Sequence, residues 1–245
     1  NGGQGDDGQV LTSTGSGVAW EAASGGATDI NGLSDAKTFG TSSIMLGDAT
    51  TGTIDAANYN TGVGVDVFED LTSGDNNSAF GFFALGNNTS GGNNTVVGAY
   101  AGSLNVDDAE NTIVGYAANY PDGGSRVTAV GSQALNSNTA SDNTAVGSLA
   151  LNATVGGAEN TAVGSRAGIA VTSGDGNDFS GFRAGQTTTT ASANTVIGSY
   201  SLDNGAANTG GLNTVIGHAA GRVITSGTRN TILGYDSGVA VTTGA

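Results

Sequence analysis

Few side chains in this 245-residue sequence could do covalent chemistry, and their spacing does not gather them. There is no cysteine and only one histidine, His218, so one chain can build neither a His-based triad nor a His-based metal site. The carboxylate candidates are Glu69 with Asp70, and the Asp107, Asp108, Glu110 run. Glycan cleavage needs two carboxyl groups held a few ångströms apart across the scissile bond. Acids adjacent in a loop read instead as solvated turn residues, and no enzyme is expected. Gly174-Asp175-Gly176-Asn177-Asp178 has the composition of a calcium-binding loop, but such sites repeat a Gly/Asp nonapeptide in consecutive turns, and here it occurs once. No cofactor is expected; calcium on the acidic N-terminal part stays open, with no ligands assigned. The remaining candidates are Phe82, Phe83, Tyr100, Tyr116, Arg166, Arg183, Tyr200 and Tyr235, each one or two residues after a recurring glycine. Aromatics and Arg are favoured in ligand contacts, which makes these the candidate receptor-contact residues. The competing use is packing between coils or against a neighbouring chain.

The element that must position them is a short phrase, Asn-Thr-(Ala/Val/Ile)-(Val/Ile)-Gly. It reads Asn94-Thr95-Val96-Val97-Gly98 and returns at Asn111, Asn143, Asn160, Asn194, Asn213 and Asn230. Weaker copies end at Gly64, Gly81, Gly131 and Gly181, and a degenerate one, Ser43-Ile44-Met45-Leu46-Gly47, begins the series. From Gly47 the glycine spacings are 17, 17, 17, 17, 16, 16, 17, 17, 17, 19 and 17. Regularity of this kind belongs to stacked, quasi-one-dimensional architectures in which each repeat is one coil. The expected fold is all-β, a parallel β-roll or β-solenoid of about twelve coils of about 17 residues. Each coil is expected to hold a strand on the phrase and a second short strand ending in a small residue three positions after the glycine, as at Ala84, Ala101 and Ala150. Gly-rich loops such as Gly91-Gly92 follow. No helical periodicity survives this glycine content.

Side chains alternate across a strand. One face therefore carries the Asn rank (Asn94, Asn111, Asn143, Asn160, Asn194, Asn213, Asn230), the middle aliphatic residue and the glycine. The other carries Thr and then an aliphatic rank that includes Val97, Val114, Val130, Val146, Val163, Ile197, Ile216 and Leu233. Both faces are apolar, so both are expected to be covered. The first can point into the coil, where stacked Asn side chains would hydrogen-bond rung to rung. The second, if open, would make a stripe of roughly 500 Å² or more, and association along the long axis would cover it. The phrase glycine would supply a tight bend or permit close approach of neighbouring chains.

Composition and charge narrow the partners. Glycine supplies 44 residues, and charged residues make up only 11%. Residues 1–125 hold 15 acids and one base, whereas residues 126–245 hold 6 acids and 5 arginines. A surface this acidic repels nucleic acid and anionic membranes, so neither is an expected partner. No 18-residue apolar run is available to insert into a membrane. Residues 1–42 stand apart: a small hairpin is expected around residues 13–16, and residues 23–42 read as a connector ahead of a repeat domain at residues 43–245. Beginning at Asn1 with no signal peptide in view and stopping mid-pattern at Ala245, the chain reads as a piece of a longer or processed product.

The phrase Asn-Thr-Ala-Val-Gly with its trailing Ala resembles the head repeats of trimeric autotransporter adhesins, which build a left-handed parallel β-roll trimer. Residues 8–20, Gly-Gln-Val-Leu-Thr-Ser-Thr-Gly-Ser-Gly-Val-Ala-Trp, together with repeats such as Asn143 to Leu151, are similar to bacteriophage tail-fibre and related virion fibre proteins. The resemblance implies an intertwined or side-by-side homotrimer: a structural fibre segment of a virion that supports host attachment, with other virion proteins and a host glycan or surface protein as partners. The alternative is the head of a bacterial trimeric surface adhesin. Two further alternatives are a polysaccharide depolymerase and, if the Thr-x-Val face meets solvent, an ice-binding solenoid.

Overall fold

The computed structural model describes residues 9–13, 18–22, 36–39, 42–47, 56–120, 123–203 and 205–238. Strands β1 (Gln9–Ser13) and β2 (Val18–Ala22) form the expected hairpin, antiparallel with Leu11 opposite Trp20. The turn between them lies outside the described residues. Strand β3 (Ala36–Phe39) pairs antiparallel with β4 (Ser43–Leu46). The long sheet therefore begins inside the segment that the sequence reads as connector.

From β4 onward every pairing is parallel and in register. The rungs are β5 (Thr61–Val63), β6 (Ser78–Phe80), β7 (Thr95–Val97), β8 (Thr112–Val114), β9 (Thr128–Val130) and β10 (Thr144–Val146). They continue as β11 (Thr161–Val163), β12 (Asp178–Ser180), β13 (Thr195–Ile197), β14 (Thr214–Ile216) and β15 (Thr231–Leu233). Thr95 lies over Thr112, Val96 over Ile113 and Val97 over Val114. This is a β-solenoid with one three-residue strand per coil, and the described residues contain no helix.

The second strand expected after each glycine does not form. Alternate residues there take positive φ, as at Gln133 (56°) and Leu135 (52°), or Leu149 (61°) and Leu151 (47°). Such angles are costly away from glycine, and two sets of hydrogen bonds offset the cost. Ala134 N–H donates to Gly131 O within the turn at 3.2 Å. Gln133 N–H donates to Tyr116 O of the preceding coil at 2.9 Å, and Leu135 N–H to Ala150 O of the following one at 3.0 Å. The segment is a run of overlapping turns whose spare donors knit the coils together.

The phrase glycine ends each strand with φ near 140°; a Cβ on Gly131 (φ 138°) would sit 2.6 Å from the Gly147 carbonyl. The phrase glycine thus permits a close approach between successive coils of the chain. Inside each coil the middle strand residue, the trailing Ala rank and a residue six positions after the middle one share the core. Their volumes compensate. Small middle residues pair with large partners: Gly62 with Phe68, Ala79 with Leu85, Ala129 with Leu135, Ala145 with Leu151. Large ones pair with glycine: Val215 with Gly221 and Ile232 with Gly238, whereas the space over Gly102 is taken by Ile113 Cδ1 of the following coil, 2.9 Å from where a Cβ would stand. Phe179 fills two vacancies, since a Cβ on Gly168 would sit 2.7 Å from its Cδ2 and one on Gly185 would overlap its ring. Val196 with Leu202 departs from the pairing. Close packing of this kind leaves no room for an added methyl group.

Candidate functional site

The Asn rank builds the inner wall. Asn77, Asn94, Asn143 and Asn160 have no exposed surface. Each Oδ1 accepts the backbone N–H that opens the next rung, as in Asn77 N–H to Asn60 Oδ1 (2.8 Å) and Asn177 N–H to Asn160 Oδ1 (3.0 Å). Each Nδ2 donates to a carbonyl fourteen residues on, as in Asn143 to Gly157 (2.8 Å) and Asn160 to Gly174 (2.9 Å). One side chain thereby satisfies a buried donor and a buried acceptor in most coils. The rank breaks at Val127, whose N–H still donates to Asn111 Oδ1 (2.9 Å) while Asn111 Nδ2 is left without a partner.

The opposite face of the same strands, the one for which the sequence reading calls for a covering partner, is open in the single chain. Val97, Val163 and Ile197 are exposed, as is Leu233 on the last rung, whereas Val114, Val130, Val146 and Ile216 are half-buried. Thr95, Thr112 and Thr161 stand exposed beside them. In-register pairing stacks each residue type at about 4.8 Å intervals, giving parallel ranks of Thr and aliphatic side chains. Asp178 and Ser180 on β12 interrupt both ranks.

The candidate contact residues gather on the turns after the glycines, in two clusters. In the first, Phe82 meets Tyr100 edge-on at 5.1 Å between ring centroids, and Phe83 lies 6.1 Å from Tyr100. Tyr100 in turn approaches Tyr116 (6.3 Å, 87°) and Tyr120 (6.4 Å, 69°). Tyr100, Tyr116, Ala117 and Tyr120 line a pocket of about 310 Å³. In the second, Phe182, Tyr200, His218 and Tyr235 run rung to rung at 5.3, 5.9 and 5.4 Å, the last pair stacked. Arg183 lies 5.2 Å from the centroid of the Tyr200 ring and its Nε lies 3.2 Å from the buried carboxylate of Asp203. The Arg183 Nε–H is not aligned on that carboxylate, so the contact is an ion pair rather than a directed hydrogen bond. Arg166 is exposed, between the two clusters. Tyr120, Phe182 and His218 complete the clusters but fall outside the candidate set. Tyr120 sits five residues past its glycine, where the repeat offers no rank to follow; His218 sits one residue past Gly217, in the same rank as Tyr116.

Of the carboxylates named from sequence, Asp70, Asp107 and Asp108 accept rung-to-rung bonds. Asp70 Oδ2 accepts from Asn87 Nδ2 at 2.6 Å, and Asp107 Oδ1 accepts from Ser90 Oγ at 2.7 Å. Asp175 of the Gly/Asp loop accepts the Ala158 N–H at 2.8 Å, and its own N–H donates to Ser192 Oγ at 3.0 Å. Among the described residues no three His, Asp or Glu side chains come together as a metal site, and no helix is long and apolar enough to cross a membrane. One exposed ion pair stands out: Arg126 donates to Asp142 through two nitrogens at 2.7 and 2.9 Å. That hydrogen bond holds the Asp142 carboxyl below its usual range and raises the Arg126 guanidinium.

The fold places the chain among the β-solenoid repeat proteins. No family model, curated protein or solved structure matches it.

Proposed function

We propose that this chain is a structural fibre segment of a virion, on the tail or the capsid, and that it works as a homotrimer supporting attachment to a host surface. The observation that carries this reading is the open Thr-x-Val face. All-parallel sheets are ordinarily covered on both sides, and a stripe of exposed and half-buried aliphatic side chains, broken only at β12, calls for a partner of matching repeat. A second and third copy supply it. Twelve rungs at about 4.8 Å make a rod of roughly 50 Å, stiffened by a backbone bonded from coil to coil. The role is mechanical, without catalysis: to project a receptor-binding element or to make repeated weak contacts that sum by avidity. Partners would be other virion proteins and a host glycan or surface protein.

Sedimentation equilibrium tests the assembly. The expected mass is three times the 23.6 kDa chain, and Val146→Asp should return it to one while leaving the far-ultraviolet dichroism unchanged. A wild-type chain that stays monomeric would overturn the reading. Immunogold labelling tests the location: label on particle fibres supports it, and label on a bacterial envelope points to a surface adhesin. The same open face favours a second reading, because regular Thr and aliphatic ranks on an uncovered sheet could order water as an ice-binding surface does. A monomer with thermal hysteresis would select that reading.

A further inference from the structure

We propose that the pocket between Tyr100, Tyr116 and Tyr120 binds an organic cation, a quaternary ammonium or guanidinium group, through the faces of its aromatic walls. This site belongs to a single chain and does not depend on the fibre reading. Three observations support it. The first is shape: Tyr116 and Tyr120 stand at 87° and 69° to Tyr100 with centroids 6.3 and 6.4 Å away, so the rings meet as walls and do not stack shut. The space they line, about 310 Å³ with Ala117 as the small fourth member, is of ligand size. The second is charge: residues 56–120 carry seven carboxylates and no Lys, Arg or His. A cation entering there meets a favourable field, and the chain supplies none of its own in that stretch.

The third is an internal comparison. Tyr200 occupies the same place after its phrase glycine as Tyr100 does, two residues past Gly198 and Gly98 respectively. Tyr200 has the Arg183 guanidinium 5.2 Å from its ring centroid, contributed by the corresponding residue of the preceding coil. At Tyr100 that residue is Phe83, its ring centroid 6.1 Å from that of Tyr100, so the side toward the preceding coil is filled by an aromatic ring and the space for a ligand lies toward Tyr116 and Tyr120 of the following coil. Aromatic faces attract ammonium and guanidinium groups, Trp and Tyr best, and walls of several rings suit quaternary ammonium ions. Tyr116 is more than half exposed, so the expected affinity is weak, on the order of millimolar.

The test is a titration of the full chain with choline, followed by tyrosine fluorescence, beside 3,3-dimethyl-1-butanol, its uncharged carbon isostere, and a neutral methyl glycoside. Choline is expected to bind about tenfold or more tightly than the isostere, and added salt should weaken it. Tyr116→Phe should retain binding, because the ring face remains, and Tyr116→Ala should lose about tenfold. An unchanged thermal midpoint in both variants shows that the fold is intact; if Tyr116→Ala fails to fold, the choline-to-isostere ratio and the Phe variant decide. Equal binding of choline and the isostere, preference for the glycoside, no choline binding at all, or an unaffected Tyr116→Ala would each overturn the proposal.

Discussion

Each three-residue strand presents two different surfaces from one backbone. In β7 the middle residue, Val96, is fully buried while Thr95 and Val97 on either side are exposed. The inner surface is largely committed: Asn hydrogen bonds, glycines closely approaching the next coil, and side-chain volumes that compensate in many coils. The outer surface is regular but unspent. The same repeat thus separates folding from association. Inner residues hold the coil together, and outer residues are available to whatever lies alongside.

Substitutions can break or sharpen that contrast. The largest effect is expected from Gly147→Ala: φ is 136°, and the new Cβ would lie 2.6 Å from the Gly164 carbonyl. Strain and overlap together should cost about 4 kcal/mol or more, read as loss of the cooperative denaturation transition. Phe179→Ala empties space shared by two coils and should cost about 3–5 kcal/mol in chemical denaturation. Combining it with Gly185→Leu, at a position where φ is 61° and equivalent coils carry Leu, should recover part of the loss. Gly185→Leu alone should destabilise, and simple additivity in the double-mutant cycle would refute the volume pairing. Asn160→Ala strands the Asn177 N–H and the Gly174 carbonyl, for about 2–3 kcal/mol. On the outer face, Val97→Ser should move the stability of a lone chain by only about 0.5 kcal/mol, while weakening any assembly detected by sedimentation.

The smallest effect belongs to the exposed Arg126–Asp142 pair. A carboxyl group whose folded pKa lies below its unfolded value adds stability above the unfolded value and loses it as pH falls through the folded one. The slight decline in thermal midpoint below about pH 4 should therefore be shallower in Asp142→Asn, and 0.5 M salt, at roughly a 4 Å screening length, should flatten the difference. A wild-type midpoint that rises on acidification through this range would contradict the assignment.

Much of the inner surface was legible before any coordinates. Asn94, Asn143 and Asn160 recur at the coil spacing, and an in-register parallel stack leaves them little to bond except the next rung. The alternation also separated Val96 from Val97 correctly. What misled was the segment after the glycine, where Ala-Leu dipeptides suggest a strand. Positive φ at Leu135 and Leu151 is disfavoured locally and becomes stable only through bonds to coils sixteen or seventeen residues away. The volume pairing of Ala145 with Leu151 was present in the sequence as a six-residue offset. Spacing alone does not connect them, because the two residues belong to different ranks. Of the aromatic cluster, Phe82, Phe83, Tyr100 and Tyr116 were legible as candidates and Tyr120 was not, since only the turn folds it back beside Tyr100.

The sequence by itself determined the coil length, the parallel register and which residues of each strand face inward, because a 17-residue period and a two-residue alternation admit one consistent stacking. The tertiary structure decided the shape of the return path, the contact of glycine with glycine between coils, and the convergence of three tyrosines on one pocket. These depend on distances between atoms one coil apart, which spacing along the chain does not encode. It also decided that a single chain leaves its Thr-x-Val face open: a pattern states that a surface is apolar, and only three-dimensional packing establishes whether the chain has anything left to cover it.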